Sequence, residues 1–253
     1  MVGSRQSIPG NREQIALTQL FRRVAQVAER QWGVIADSQL THWGVSTSAI
    51  SRWVASGRLH RIYPRVYAVG HTAIPLEGQL LAAVLYAGPG AALSYVSAAS
   101  WWELLPWVPD TIHVTSPRRR RSLDGVRVHR AHRIERVMHR GLPVTLVGQT
   151  LLDLASVAAL KSVRRAVAEA DFLHLLDLAA IDEVTGTGRM GLAKLRRALA
   201  LHRPNTRRDL YLRQAGFSVR RYSWWQVTGK PSAVAVDVRR TLRGRGYRRA
   251  AAA

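Results

Sequence analysis

The glycines Gly33, Gly44, Gly57 and Gly70 divide the N-terminal part of the chain into short segments that can form only small elements. Ahead of the first glycine, apolar residues recur at the three- and four-residue spacing of an amphipathic helix, at Leu17, Leu20, Phe21, Val24, Val27 and Ala28. The apolar stripe of such a helix needs a partner, so this helix must pack against other elements.

The segments after the first glycine predict a strand and two short helices. Val34–Ala36 has the composition of a strand. Asp37 is a suitable N-cap for a helix over 38–43, which the second glycine ends. Ser46 is the next N-cap, and it begins a helix over 47–56. The predicted buried stripe of this second helix is Ala49, Ile50, Trp53 and Val54.

Residues 58–70 predict a small β-hairpin. Two runs rich in Ile, Tyr and Val flank the turn residues Pro64 and Arg65. The order helix, strand, helix, helix, hairpin is that of a winged helix-turn-helix, in which the second helix of the pair enters the DNA major groove. The fold class predicted for the whole chain is α+β: this domain, a mixed α/β middle domain and a short helix-strand-helix segment.

Basic residues dominate the chain, and no acidic residue opposes them between Ser38 and Leu76. The sequence has 38 Lys and Arg against 16 Asp and Glu, a net charge of +22. Such a charge favours a polyanionic partner, and double-stranded DNA is the one predicted. Binding to a membrane surface would require a basic amphipathic helix or a lipidation signal, and neither stands out, so no membrane partner is predicted.

The predicted DNA contacts fall into two groups. The face of the second helix opposite its apolar stripe carries side chains that can reach base edges and phosphates: Thr47, Ser48, Ser51 and Arg52. The hairpin region carries residues that we expect to contact phosphates: Arg58, His60, Arg61 and Arg65. The sequence leaves open the alternative that this helix is a solvated face of a protein-binding winged helix.

Residues 73–203 mix helical and β patterns, which predicts an α/β domain. The predicted helices lie at 77–87, 94–105, 144–158, 163–178 and 192–201, and the predicted strands at 112–115 and 126–130. The run Arg118, Arg119, Arg120 and Arg121 between the two strands is either a second phosphate-binding patch or a solvated turn.

No metal site and no cofactor are predicted. His129, His132 and His139 lie among strand residues with no cysteine in the chain, so we expect satisfied or solvent-facing side chains rather than ligands. The glycine-rich run at 186–191 follows a helical segment rather than a strand, which favours a loop over a dinucleotide site. The tryptophan pairs at 101–102 and 224–225 are expected to be core or strand anchors. The lack of cysteine and of an apolar leader predicts a cytoplasmic protein.

The segment GVIADSQLTHWGVSTSAISRWVASGRLHRIYPRVYAVG resembles the N-terminal domain of AbiEi-family antitoxins, the regulatory half of type IV toxin-antitoxin systems. AALSYVSAASWWELLP, IHVTSPRRR, GVRVHRAHRI and GLPVTLVGQTLLDLA resemble the α/β antitoxin domain that follows it, so the likeness covers about 14–203. The family's hairpin has an Arg-Gly-Val-Tyr type turn, whereas Arg65 stands in the glycine's place here, which leaves the turn geometry open.

The resemblance implies a transcriptional regulator that binds inverted repeats upstream of its own operon and represses it. It also implies a division into a lead-in at 1–12, a winged helix-turn-helix at 13–72, an antitoxin-like domain at 73–203, a C-terminal segment at 204–243 and a basic tail at 244–253. The oligomeric state stays open, with a homo-oligomer as one alternative, and direct contact with a toxin is not implied.

The C-terminal segment RRDLYLRQAGFSVRRYSWWQVTGKPSAVAVDVRRTL resembles the end of very-short-patch-repair endonucleases, a remnant of a restriction-endonuclease-like fold. That resemblance raises a DNA endonuclease as the alternative function. A metal-assisted nuclease needs clustered carboxylates. From Arg207 onwards the only acidic residues are Asp209 and Asp237, so we expect no enzymatic activity and no catalytic residues.

Overall fold

The computed structural model describes residues 11–178, 181, 189–202, 222, 227 and 231–244. Across this part of the chain the fold is mixed α+β with two sheets, as predicted. The helices are α1 Asn11–Arg30, α2 Asp37–His42, α3 Thr47–Ala55, α4 Leu76–Ala87, α5 Tyr95–Trp101, α6 Val147–Val157, α7 Leu160–Phe172, α8 Leu192–Ala200 and α9 Pro231–Gly244. The strands are β1 Val34–Ala36, β2 Leu59–Tyr63, β3 Val66–Val69, β4 Ala92–Leu93, β5 Ile112–Ser116, β6 Val126–Arg130, β7 Arg136–His139 and β8 Leu142–Thr145.

Contacts divide the chain into two compact units. The N-terminal unit comprises Met1–Ala92, Val114–Ile134 and Arg140–Pro143. The C-terminal unit comprises Leu93–His113, Glu135–His139 and Val144–Ala253.

The N-terminal unit contains a three-stranded antiparallel sheet in the order β1-β3-β2. Val24 of α1, Leu40 of α2 and Ile50 of α3 join one buried cluster with residues of the sheet. Burying each such side chain contributes roughly 1.5–3 kcal/mol. Helix α4 packs on all three strands. Helices α1 to α3 with the β2–β3 hairpin therefore form a winged helix-turn-helix.

The start of α3 confirms one predicted cap, and the start of α2 corrects another. Ser46 Oγ accepts a hydrogen bond from the Ala49 N–H at 3.2 Å, as its N-cap role predicts. At α2 the N-cap is Ala36, whose N–H donates to Gln39 Oε1 at 3.0 Å. The prediction of Asp37 as N-cap is wrong because the longer Gln39 side chain serves this helix start, and Asp37 is the first helical residue instead.

The second sheet has the strand order β6-β5-β4-β8-β7, with Leu93 and Val144 paired in parallel. The prediction of a helix over 144–158 is wrong at its start, because β8 continues to Thr145 and α6 begins only at Val147. Strands β4, β7 and β8 were not predicted. β4 has two residues, and three of the four residues in β7 are exposed, so neither strand shows an alternating apolar pattern.

Helices α5 to α8 pack together in the C-terminal unit, with α6 in contact with α5, α7 and α8. Two of these helices end earlier than predicted, because Glu103 and His174 take left-handed backbone conformations just beyond their ends. The indole N–H groups of Trp101 and Trp102 donate to the carbonyls of His139 and Thr145 at 2.8 and 2.9 Å. Both rings are buried, which confirms them as core anchors, while the pair at 224–225 lies outside the described residues.

The predicted C-terminal helix-strand-helix segment lies largely outside the described residues. Its last helix is α9. Asp237 of α9 accepts a hydrogen bond from the Tyr222 hydroxyl at 2.7 Å.

Candidate nucleic-acid interface

Helix α3 is held to the core by one face and presents the other to solvent. Ala49, Ile50 and Trp53 are 2 to 4% exposed, and the ring of Trp53 meets Phe21 of α1 edge-on at 5.0 Å between centroids. Val54, the fourth residue of the predicted stripe, is half-buried against the same cluster. The orientation of α3 is therefore fixed by its apolar stripe.

All four residues predicted to reach bases are exposed on the outer face of α3: Thr47, Ser48, Ser51 and Arg52. The hydroxyls of Ser46 and Ser48 lie 3.0 Å apart at the N-terminal end of the helix. In helix-turn-helix proteins the N-terminal residues of the recognition helix contact base edges. The geometry of this face is thus compatible with readout of DNA by short hydroxyls and one guanidinium.

The hairpin is anchored by buried side chains on both of its strands. Leu59 on β2 and Val66 on β3 are buried, while Arg61 is exposed and His60 is half-buried. The guanidinium of Arg58 lies 5.4 Å from the centroid of the Phe21 ring, a cation–π contact with α1. Arg58 therefore has a packing role as well as a charge, whereas Arg61 presents a charge to solvent.

The turn of the hairpin keeps a glycine-like geometry although its residue is an arginine. Arg65 has φ 65°, in the left-handed region that usually favours glycine. Its carbonyl accepts the Asp37 N–H at 2.8 Å, and its Nε donates to Asp37 Oδ2 at 3.0 Å. These two bonds fasten the tip of the wing to the first residue of α2.

Arg65, which the sequence predicts as a phosphate contact, forms an ion pair with Asp37 in the structure. The sequence has no acidic residue from Ser38 to Leu76, but the fold brings Asp37, which comes just before that stretch, to the wing tip. The Arg65 side chain is 75% exposed and that of Asp37 16%, so the guanidinium still faces water. No sequence pattern links the two positions, which lie 28 residues apart.

The arginine run at 118–121 is exposed in the loop between β5 and β6 of the N-terminal unit. Its backbone is held in place: the Tyr86 hydroxyl donates to the Arg121 carbonyl at 2.7 Å, and the Arg118 N–H donates to Ser116 Oγ at 3.2 Å. Ser116 Oγ in turn donates to the Ala87 carbonyl at the end of α4. A charged loop tethered in this way can bind phosphate.

The structure also shows where two other features of the sequence lie, the histidine His139 and Gly191, the last residue of the glycine-rich run at 186–191. The His139 ring stacks on Trp102 at 4.0 Å between centroids. Gly191 has φ 86°, and a Cβ there would lie 2.5 Å from the Ser156 amide nitrogen, so close packing explains this glycine.

Within the described residues no group of three or more His, Asp and Glu could hold a metal ion. No helix in that part of the chain is long and apolar enough to cross a bilayer.

The winged helix-turn-helix is the part of the chain that matches a known protein family. Residues 22–70 match the AbiEi antitoxin family of transcriptional regulators. The AbiEi match runs from α1 to the end of the hairpin and so contains α3 and the wing. A solved structure, the RV2827C protein from Mycobacterium tuberculosis, is similar at 17% identity and a TM-score of 0.33, covering 78% of this chain and 83% of that one. No curated protein matches the sequence.

Proposed function

We propose that this protein is a DNA-binding transcriptional regulator of the antitoxin type that represses its own operon. The observation that carries the proposal is the exposed polar face of α3, held beside a basic hairpin within the segment that matches AbiEi regulators. An apolar stripe holds the helix, while the outer face has residue types that pair with base edges. Arginines around the hairpin supply phosphate contacts that position the helix.

The proposal is tested by fluorescence anisotropy of the full chain with two labelled duplexes. One duplex carries the DNA upstream of the protein's own gene, and the other has the same composition in scrambled order. Sequence readout predicts a preference for the upstream duplex that persists as salt rises, whereas binding through phosphates alone falls away with salt for both duplexes. Equal affinity for the two duplexes at every salt concentration would refute operator recognition.

Autorepression needs a separate test in cells. A reporter gene placed behind the upstream DNA should be repressed when the native chain is supplied, and released when Ser48 and Arg52 are both replaced by alanine. A variant with both Ser100 and Arg197 replaced by alanine serves as the matched control, because both lie in the C-terminal unit. Repression that is unaffected by the α3 changes would contradict the proposal.

We propose further that the chain does not cut DNA, in contrast to the endonucleases that its C-terminal segment resembles. The support is the scarcity of carboxylates there, together with the bond from Tyr222 to Asp237, which engages one of the two. Supercoiled plasmid incubated with the protein and magnesium or manganese should stay intact. Cutting that stops when a chelator is added would overturn this proposal.

A further inference from the structure

The C-terminal unit contains an open cleft of about 530 Å³ along the packed helices α7 and α8. This volume lies within the range of roughly 300–1,000 Å³ that is common for small-molecule sites. The predicted DNA contacts all belong to the other unit, so the function proposed above assigns no role to this cleft.

One wall of the cleft is strongly basic. Arg164 and Arg165 lie three and four residues after Lys161, the spacings that place each of them beside Lys161 on α7, and all three are exposed. Like charges at this spacing destabilise a helix. Within the described residues, neither Lys161 nor Arg164 has a carboxylate oxygen within 4.0 Å. A bound anion would offset this repulsion.

Arg165 differs from the other two cations because it has an acidic neighbour. Burial raises the pKa of Glu169, and the positive charge of Arg165 acts in the opposite direction. Glu169 lies four residues further along α7, the spacing of an intrahelical ion pair. Lys161 and Arg164 therefore hold the positive charge that is least compensated in the cleft.

Among the described residues, the rest of the lining consists of three apolar side chains and one imidazole. Ala168, Ala198 and Leu201 contribute small or aliphatic side chains, and Leu201 is 47% exposed. His202 also lines the cleft, and its Nε2 lies 3.1 Å from Asp171 Oδ2, which orients the ring. A flat group can lie on the apolar surface while an anionic group meets the cations.

We propose that this cleft binds a small phosphate-bearing ligand with a flat apolar group, the chemical class of nucleotides. Lys161 and Arg164 would hold the phosphates through charge-assisted hydrogen bonds. The base would lie against Leu201 and the exposed Ala168. The combination of adjacent cations with an apolar floor in one cleft distinguishes it from an evenly solvated helix face.

Titration calorimetry of the full chain with ATP tests the site, with adenosine and inorganic pyrophosphate as partial probes. We expect saturable binding of ATP, weaker binding of pyrophosphate and the weakest binding of adenosine. The double variant Lys161→Ala, Arg164→Ala should weaken ATP binding by about a hundredfold, since each of the two lost charge-assisted hydrogen bonds is worth about tenfold. The matched control Arg196→Ala, Arg197→Ala removes two exposed charges of α8 that do not line the cleft and should change binding less than about twofold.

Three results would overturn the proposal. They are no saturable ATP binding, an equal loss in the cleft and control variants, and complete displacement of ATP by scrambled duplex, which would make the cleft a contact for nucleic-acid backbone. Circular dichroism of both variants checks that the helix content of the chain is unchanged. Anisotropy with the upstream duplex, measured alongside, separates failure of this site from failure of DNA recognition by the N-terminal unit.

Discussion

At the scale of single residues, the wing tip is where the sequence departs most from an ideal turn. The left-handed conformation costs a residue with a Cβ roughly 1–2 kcal/mol relative to glycine. Arg65 adopts it with φ 65° and gains an ion pair with Asp37 in return. An ion pair with a partner that is 75% exposed contributes only about 0–1 kcal/mol. Under the proposed function, the advantage that remains is the positive charge that Arg65 brings to the wing tip.

Replacing Arg65 by glycine and by alanine separates the backbone strain from the ion pair. Both changes remove the guanidinium, but only glycine relieves the left-handed strain, so Arg65→Gly should be about 1 kcal/mol more stable than Arg65→Ala. Urea unfolding of the two variants measures this difference. Equal free energies of unfolding would show that the turn relaxes to another conformation in the alanine variant.

Under the proposed function, the negative charge of Asp37 should lower the affinity of the protein for DNA. The change Asp37→Asn removes the negative charge at the wing tip and keeps an oxygen that can accept from Arg65 Nε. We expect tighter binding to every duplex, with a slope of log affinity against log salt that is steeper by about one phosphate contact. Folding stability should fall by no more than about 1 kcal/mol.

Anisotropy over a salt series measures both the affinity and the slope for this variant. Glu77→Gln is a suitable control, because it also neutralises an acid of the N-terminal unit but lies at the start of α4 rather than at the wing. If Asp37→Asn leaves the salt slope unchanged or weakens binding, the charge of Asp37 does not lower DNA affinity.

At the scale of elements, α3 and the hairpin should make separable contributions. Arg52→Ala removes a guanidinium from the reading face and should lower the preference for the upstream over the scrambled duplex by about 1–3 kcal/mol. Arg61→Ala should weaken both duplexes alike and flatten the salt slope by about one. Arg61 is a better position than Arg58 for this test, because replacing Arg58 would also remove its contact with the Phe21 ring.

Anisotropy with both duplexes distinguishes these outcomes for the two arginine variants. If Arg52→Ala weakens the two duplexes equally, α3 contacts only phosphates and the assignment of the reading helix is wrong. If Arg61→Ala alters the preference instead, the hairpin reads sequence.

The elements also show where sequence reasoning succeeds and where it stops. Strand Val34–Ala36, the Ser46 cap and the hairpin were predicted because local chemistry decides them. Strand β7 was not, although its neighbour β8 follows it closely, because its mostly exposed residues show no alternating apolar pattern. Strand β4 was not, since its sheet neighbours β5 and β8 are distant in sequence. The bonds between Asp37 and Arg65 were missed for the same reason, and the cleft depends on how α7 packs against α8.

At the scale of the whole molecule, the net charge of +22 predicts a polyanionic partner but does not locate the contact. Exposed cations occur in the hairpin, in the loop at 118–121 and on α7, so each unit has basic surface of its own. The net charge indicates which surface binds a ligand only when it is combined with the geometry around the exposed cations. A helix beside a wing fits a duplex, and a cleft with an apolar floor fits a small ligand.

The pH dependence of stability provides a test that is independent of any ligand. Burial raises the pKa of Asp153 from its ordinary 3.8 to about 6, against the opposing hydrogen bond from Gln149 and the charge of Arg189. Between these two pH values the folded chain retains a proton that the unfolded chain has lost. Stability from this group is therefore complete below pH 3.8 and is lost as the pH rises through 6.

Asp153→Asn should accordingly be more stable than the native chain at neutral pH, by about 1–3 kcal/mol given ~1.4 kcal/mol for each unit of pKa shift. The asparagine oxygen can still accept the bond that Gln149 Nε2 donates to Asp153 Oδ1 at 2.6 Å, so packing changes little. Urea unfolding of both chains at pH 4 and pH 7.5 measures the effect, and the advantage of the variant should shrink towards zero at the lower pH. A constant difference between the two chains at both pH values would mean that the variant acts through packing, because only a titrating carboxylate makes the difference depend on pH.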